Sequence, residues 1–215
     1  MPPTRKSPYR LLVEGVDDLH SVIHLLKRHA YDWDDAEIVR PFVHETGSLN
    51  DLLAELPVTL KGTYERIGIL VDANGSSQNR WVQIRDRAKQ AGLDLPKTPD
   101  PDGTVVAGLR PDSRVGVWMM PDNSSPGRLE DFLHQLVPES DPVWTWADEV
   151  VQEARNRGAR CKEGDHLKSR LHTWLAWQER PGIPFGTALE AKVFRHDTEE
   201  ALRFVAWFNR LFVDV

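Results

Sequence analysis

The chain has a single cysteine and no long hydrophobic run, and these two features exclude several classes of protein. Cys161 is the only cysteine, which excludes an internal disulfide framework and a cysteine-based zinc site. No apolar run approaches the ~18 residues needed to cross a bilayer. Residues 1–6 are polar and lack the apolar core of a signal peptide. We therefore expect a cytoplasmic protein that does not enter a membrane.

The chain also lacks an excess of basic residues. It has 27 Lys and Arg against 33 Asp and Glu, which gives a formal net charge of −6. A protein that binds DNA or RNA unaided is more often basic, because phosphate contacts supply much of its affinity. The net negative charge disfavours tight binding of nucleic acid by this chain alone. It is compatible with an acidic metal site to which a partner delivers the nucleic acid.

Apolar runs that alternate with helical patterns predict an α/β protein with a mostly parallel sheet flanked by helices. The predicted strands are 10–13, 36–43, 66–71, 104–109 and 115–120. From residue 139 onwards the pattern is helical only. We predict an α/β domain over residues 8–138 and a helical extension packed on it over residues 139–215.

Capping residues predict where several helices begin and end. Ser48, Ser125, Asp165 and Asp197 fit N-cap positions, since their side-chain oxygens can accept from the first free N–H groups of a helix. Gly92 fits the position just after a helix, where a left-handed residue is common.

Three of the predicted strands end in a carboxylate. Glu14 follows the first strand, Asp72 the third and Asp122 the last. In an open α/β sheet, ligands bind in the crevice beyond the carboxyl ends of the strands, so these side chains are expected to converge. Oxygen ligands suit Mg²⁺ or Mn²⁺, and such ions serve phosphoryl chemistry.

The motifs around the first two carboxylates resemble the Toprim domain of topoisomerases, bacterial primases, ribonuclease M5 and OLD-family nucleases. Residues 13–18 read VEGVDD and residues 71–75 read VDANG. The Toprim signatures are a Glu-Gly pair after the first strand and an Asp-x-Asp after a later one. The Glu-Gly-x-Asp-Asp form looks most like the ribonuclease M5 and OLD-like branches, and the resemblance covers roughly residues 9–137, with a Rossmann-like sheet as the implied fold.

Residues 121–132 are also similar to a Toprim-related bacterial family of unknown function. Members of that family are often encoded beside an AAA/ABC-type ATPase, as in two-gene anti-phage systems. This similarity implies an ATPase partner.

The resemblance assigns roles residue by residue. Glu14 matches the glutamate that acts as acid/base or metal ligand, and Asp72 matches the first, metal-binding aspartate of Asp-x-Asp. Asn74 stands where the second aspartate is expected, which keeps a carbonyl oxygen but removes a negative charge. Asp122 and Glu130 are the candidates to supply that charge, although a solvated helix face is an equal alternative for Glu130.

Two further residues complete the candidate site. Asp18 is a candidate metal ligand, with a helix N-terminal charge that complements the helix dipole as the alternative. Lys168, on a helix of the extension, is the candidate cation for the scissile phosphate, because OLD-like sites use a lysine in this way.

The resemblance thus implies a Mg²⁺- or Mn²⁺-dependent nuclease, or nuclease subunit, that cleaves phosphodiester bonds of DNA or RNA in defence or nucleic-acid processing. The alternative is a catalytically degenerate Toprim scaffold that acts as a binding or effector subunit, which Asn74 favours. A third reading is another acidic-pocket α/β protein, such as a phosphatase or a receiver-like domain. The sequence leaves open whether the chain forms a homo-oligomer.

Overall fold

The computed structural model describes residues 7–35 and 38–213. The strands in this part of the chain are β1 (Tyr9–Val13), β2 (Phe42–Glu45), β3 (Arg66–Asp72), β4 (Thr104–Ala107) and β5 (Arg114–Met120). The α-helices are α1 (Val16–Arg28), α2 (Leu49–Lys61), α3 (Ser77–Ala91), α4 (Leu129–His134), α5 (Pro142–Asn156), α6 (His166–Leu175), α7 (Phe185–Glu190) and α8 (Glu199–Phe212). A 3-10 turn at Glu163–Asp165 precedes α6.

The strands form one sheet in the order β2-β1-β3-β5-β4. The first four of these run parallel, and β4 pairs antiparallel with β5 at the edge. The carboxyl ends of β1, β3 and β5 therefore meet at one edge of the sheet. The prediction of an α/β protein with a mostly parallel, helix-flanked sheet is confirmed.

Side chains of the central strands alternate between two buried layers, as strand geometry requires. Leu11 and Val13 of β1 join the core that contains α1, α4 and α6 to α8. Leu12 faces the other way, into the core formed with α2 and α3. Both faces of the sheet are thus covered by helices, which explains why its strands read as nearly continuous apolar runs.

Two glycines in the sheet let α8 pack closely on one of its faces. Gly68 of β3 and Gly116 of β5 are register partners. A Cβ atom at Gly116 would lie 2.4 Å from Leu211, and one at Gly68 would lie 3.0 Å from Phe212. Since both contact residues belong to α8, this helix lies directly against the centre of the sheet.

Several predicted boundaries are wrong, and Pro41 and Asp122 account for two of them. The strand predicted at 36–43 is found later in the chain, as β2 at Phe42–Glu45. Residues 36–37 of the predicted range lie outside the described part. Pro41 has no N–H to donate to a sheet, so pairing begins after it. The helix predicted to begin at Ser125 begins at Leu129, because the Asp122 carboxylate accepts from the backbone N–H groups of Ser124 and Ser125 and holds them in a turn.

Of the predicted caps, Ser48 and Gly92 are confirmed. The Ser48 side chain accepts from the Asp51 N–H, and Gly92 has a φ of 97°. Asp165 occupies the N-cap position of α6 but makes no capping hydrogen bond. The last helix is capped by Thr198, whose side chain accepts from the Ala201 N–H, instead of Asp197, which forms an ion pair with Arg195.

Within residues 7–35 and 38–213, none of the helices has the length and apolar character that a membrane span needs.

Candidate functional site

An acidic cavity of about 320 Å³ lies where β1 and β3 end. Its walls come from the turn between β1 and α1, the loop before α2, the end of β3, the start of α4 and one residue of α6. It brings together five of the residues predicted from the sequence, namely Glu14, Asp18, Asp72, Glu130 and Lys168. We call it the acidic cavity.

Sheet register places Glu14 beside Asp72. Strands β1 and β3 pair in parallel with Leu12 opposite Ile69, and the same register carried on by two residues sets Glu14 opposite Val71, next to Asp72. The Asp72 backbone N–H donates to Glu14 Oε1 at 2.9 Å. Asp72 Oδ1 in turn accepts from the Leu129 N–H at 2.9 Å. One oxygen of each carboxylate is therefore fixed by the backbone, and the second oxygen is left for a ligand.

Asp18 both caps α1 and lines the acidic cavity. Its Oδ2 accepts from the Gly15 N–H at 3.0 Å, as an acidic residue in the third helical position does in a capping box. A capping role and a ligand role are compatible here, because the capping bond uses one oxygen only.

Glu130 and Lys168 form an ion pair on the opposite wall. Glu130 is 6% exposed, and its Oε1 lies 3.0 Å from Lys168 Nζ. Lys168 Nζ also lies 3.9 Å from Asp17 Oδ2. Helix α6 thus brings a cation from the C-terminal part of the chain to the edge of the sheet.

The acidic cavity holds more negative charge than its surroundings compensate. Burial raises the pKa of Glu14. Burial, and then the charge of Glu14, raise the pKa of Asp18 to about 7. Burial, followed by the charges of Asp18 and Glu14, raises the pKa of Asp72 to about 8. Such repulsion among carboxylates is relieved by protons or by a bound cation.

Two predicted residues lie outside the acidic cavity. Asn74 is exposed, has a φ of 53°, and pairs through its backbone with Gly127. Asp122 accepts from Ser124 and Ser125; although burial alone would raise its pKa, these hydrogen bonds outweigh that effect and lower it. Asp122 is therefore held in a local turn and Asn74 lies on the surface, and neither contributes to the cavity, which five carboxylates line with Asp17 included.

Arg80 is a positioning residue that sequence reasoning missed. It is 7% exposed, and its Nε donates to the carbonyl oxygen of Asp72 at 2.7 Å. Its charge also lowers the pKa of Glu14, against the larger effect of burial. Its spacing in the sequence could have identified it. Arg80 lies four residues before Ile84 and eight before Ala88, so it falls on the buried face of α3, where an apolar residue is expected.

The arrangement of the carboxylates has a consequence for metal binding. Among the described residues, no three His, Cys, Asp or Glu side chains are placed so that they could hold a metal ion as they stand. In the acidic cavity, backbone N–H groups hold Glu14, Asp18 and Asp72, and Lys168 holds Glu130. An ion bound here would require the free oxygens to rotate towards one point.

Comparison with known proteins gives a family and no function. No curated protein and no solved structure matches the chain. The family described as "Protein of unknown function (DUF3226)" matches residues 8–213, which span the sheet and the C-terminal helices alike, and the chain belongs to this family.

Proposed function

We propose that the chain is a divalent-metal-dependent phosphodiesterase of the Toprim type, acting on DNA or RNA as a nuclease or a nuclease subunit. The observation that supports this proposal best is the convergence of Glu14, Asp72 and Lys168 in the acidic cavity. Two carboxylates at strand ends and a lysine far away in sequence are the residue types that the Toprim resemblance assigns to one site.

The donor atoms of the acidic cavity fit Mg²⁺ or Mn²⁺. All four candidate ligands are carboxylates (Glu14, Asp18, Asp72 and Glu130), and hard divalent ions prefer oxygen. When bound, such an ion supplies Lewis-acid stabilisation of the phosphoryl oxygens. The raised pKa values of Asp18 and Asp72 are the behaviour expected of ligands in the absence of that ion.

The remaining chemistry falls to the protein side chains. Glu14 keeps Oε2 free of the described hydrogen bonds, and this oxygen is available either to hold the ion or to accept the proton of the attacking water, the two roles that the resemblance gives to this residue. The ammonium group of Lys168 lies in the same cavity and balances charge on the scissile phosphate. Its pairing with Glu130 at 3.0 Å keeps it in place before substrate binds.

The net charge of the chain bears on how substrate arrives. A chain with a formal charge of −6 and an acidic cavity repels a phosphate backbone at long range. We therefore propose that a partner, for which the resemblance suggests an AAA/ABC-type ATPase, delivers the nucleic acid, and that the chain works in the cytoplasm.

A cleavage assay tests the proposal. DNA and RNA, single- and double-stranded, are incubated with Mg²⁺ or Mn²⁺ and the purified chain, alone and with a candidate AAA/ABC-type ATPase partner. We expect Glu14→Gln and Asp72→Asn each to lower the cleavage rate by about 100-fold or more. Asp122→Asn is the matched control, since it removes the same charge from a strand end outside the acidic cavity. Cleavage that survives both cavity substitutions would refute the site.

A second candidate function is a scaffold that binds a partner without cutting. The ion pair between Glu130 and Lys168 favours it, because a lysine that neutralises a buried carboxylate can replace a metal ion. No cleavage of any substrate, with or without the ATPase, together with no saturable divalent-ion binding, would support the scaffold over the nuclease.

A further inference from the structure

The amino ends of β3 and β5 carry a second cavity, of about 920 Å³. Four of its lining side chains are arginines, and Asp112 is the one acidic residue among those described that line it. The arginines are Arg66, Arg110, Arg114 and Arg210. We propose that this arginine cavity binds a small anion with several phosphate groups, of the nucleoside triphosphate or inorganic triphosphate class.

Arg66 is the central observation. It is 8% exposed, and its described partners are carbonyl oxygens and an aromatic ring. Its Nη1 donates to the carbonyl oxygens of Glu65 and Asp112, at 3.1 Å and 2.6 Å, and its guanidinium lies 5.7 Å from the Tyr9 ring centroid. Carbonyl dipoles compensate a buried charge only in part, and a phosphate would complete the compensation.

The neighbouring arginines are fixed before any ligand binds. Arg210 Nη2 donates to the carbonyl oxygens of Asp102 and Gly103, and Arg114 Nη1 donates to the Arg210 carbonyl oxygen. Because a guanidinium has five donors, the two backbone bonds of Arg210 leave others for a ligand. Prior fixing of the side chains lowers the entropy cost of binding.

The charge and size of the arginine cavity favour a compact polyanion. Among the described residues that line it, four are arginines and one is an aspartate, in a chain whose overall formal charge is −6. Its volume falls within the range of small-molecule sites. Guanidinium groups match phosphate oxygens by paired hydrogen bonds, which favours phosphate groups over carboxylates of lower charge.

This cavity is separate from the acidic cavity. Arg66 and Asp72 stand at the two ends of β3, about 20 Å apart at the rise of a parallel strand. A triphosphate bound among the arginines therefore cannot reach Glu14 or Lys168. The proposed anion is a second ligand, and its binding does not need the metal ion.

Isothermal titration calorimetry with inorganic triphosphate and with ATP tests the proposal. Both titrations use the 215-residue chain in EDTA, so that no divalent ion can hold phosphate at the acidic cavity. We expect saturable binding to the wild type, weakened about tenfold or more in Arg110→Glu and in Arg210→Gln. Arg87→Glu makes the same charge change on an exposed part of α3 and should bind as the wild type does.

The outcomes separate the sources of the phosphate. Equal affinity for both probes supports the proposal with the phosphate chain as the recognised part, and tighter ATP binding supports it with a nucleotide as ligand. Binding of neither probe below about 1 mM would overturn it, as would equal weakening by Arg87→Glu. It would also be overturned if single-stranded DNA bound at these arginines and triphosphate failed to compete. Thermal unfolding checks each variant, and Arg110 lies on an exposed turn where substitution leaves the core intact.

Discussion

Removing one carboxylate from the acidic cavity should stabilise the metal-free protein, by an amount that grows with pH. Burial, and then the charges of Asp18 and Glu14, hold the pKa of Asp72 near 8 against an ordinary value of 3.8. The folded protein therefore binds a proton that the unfolded chain has released over this range. The stability that this proton contributes is complete below about pH 4 and is lost as pH rises to about 8.

The size of the effect follows from the pKa difference. About four pKa units at ~1.4 kcal/mol each set an upper limit of about 6 kcal/mol on the cost of ionised Asp72. Side-chain rotation and bound counterions relieve part of it. We therefore expect Asp72→Asn to raise the free energy of unfolding by about 2–4 kcal/mol at about pH 9, and to leave it nearly unchanged at about pH 4.

Urea unfolding in EDTA, followed by tryptophan fluorescence at both pH values, measures this difference. Asp86→Asn, on an exposed part of α3, is the control and should show no such pH dependence. Saturating Mn²⁺ should raise the free energy of unfolding of the wild type at about pH 9, because an ion that binds only the folded state stabilises it. It should not do so in Asp72→Asn, which lacks one of the proposed ligands. A gain that is equal at the two pH values, or a loss at pH 9, would contradict a raised pKa of Asp72 as the source of the effect.

Three further substitutions probe what holds the acidic cavity and the sheet. Lys168→Met should lower the free energy of unfolding by about 1–2 kcal/mol, because it leaves the buried Glu130 with only the more distant Arg128, at 3.9 Å, among its described ion-pair partners, and adding Glu130→Gln should restore most of the loss in a double-mutant cycle. Arg80→Met should lower the free energy of unfolding by about 1–3 kcal/mol. It should also raise the pKa of Glu14 further, as carboxyl ¹³C NMR titration would show. Gly116→Ala should cost about 1–3 kcal/mol in urea unfolding, since its new methyl group meets Leu211; wild-type stability there would mean that α8 packs less closely.

The carboxylates at the strand ends were the part of the site that the sequence predicted best. The apolar runs before Glu14 and Asp72 are long enough to identify buried parallel strands, and two parallel neighbours must end at the same edge. Lys168 is different: nothing in its spacing predicts its position, and only the Toprim resemblance placed it among the candidates. The structure brings it there because α6 packs beside α4.

Local backbone chemistry explains what the sequence could not provide. A residue after a strand can point into the crevice or into a turn, and hydrogen bonds decide between these outcomes. Asn74 adopts a positive φ, which asparagine tolerates, and Asp122 holds the turn that follows β5. The apolar face of α8 was also visible, but an amphipathic pattern does not say which surface will cover it.

The proposed nuclease activity requires the acidic cavity to bind a divalent ion between Glu14 and Asp72. Anomalous diffraction from crystals soaked in Mn²⁺ tests it most directly, with Asp72→Asn crystals as the control. We expect a manganese peak within about 2–2.5 Å of oxygens from both carboxylates, absent in the variant. Manganese bound elsewhere on the protein while this cavity stays empty would contradict it.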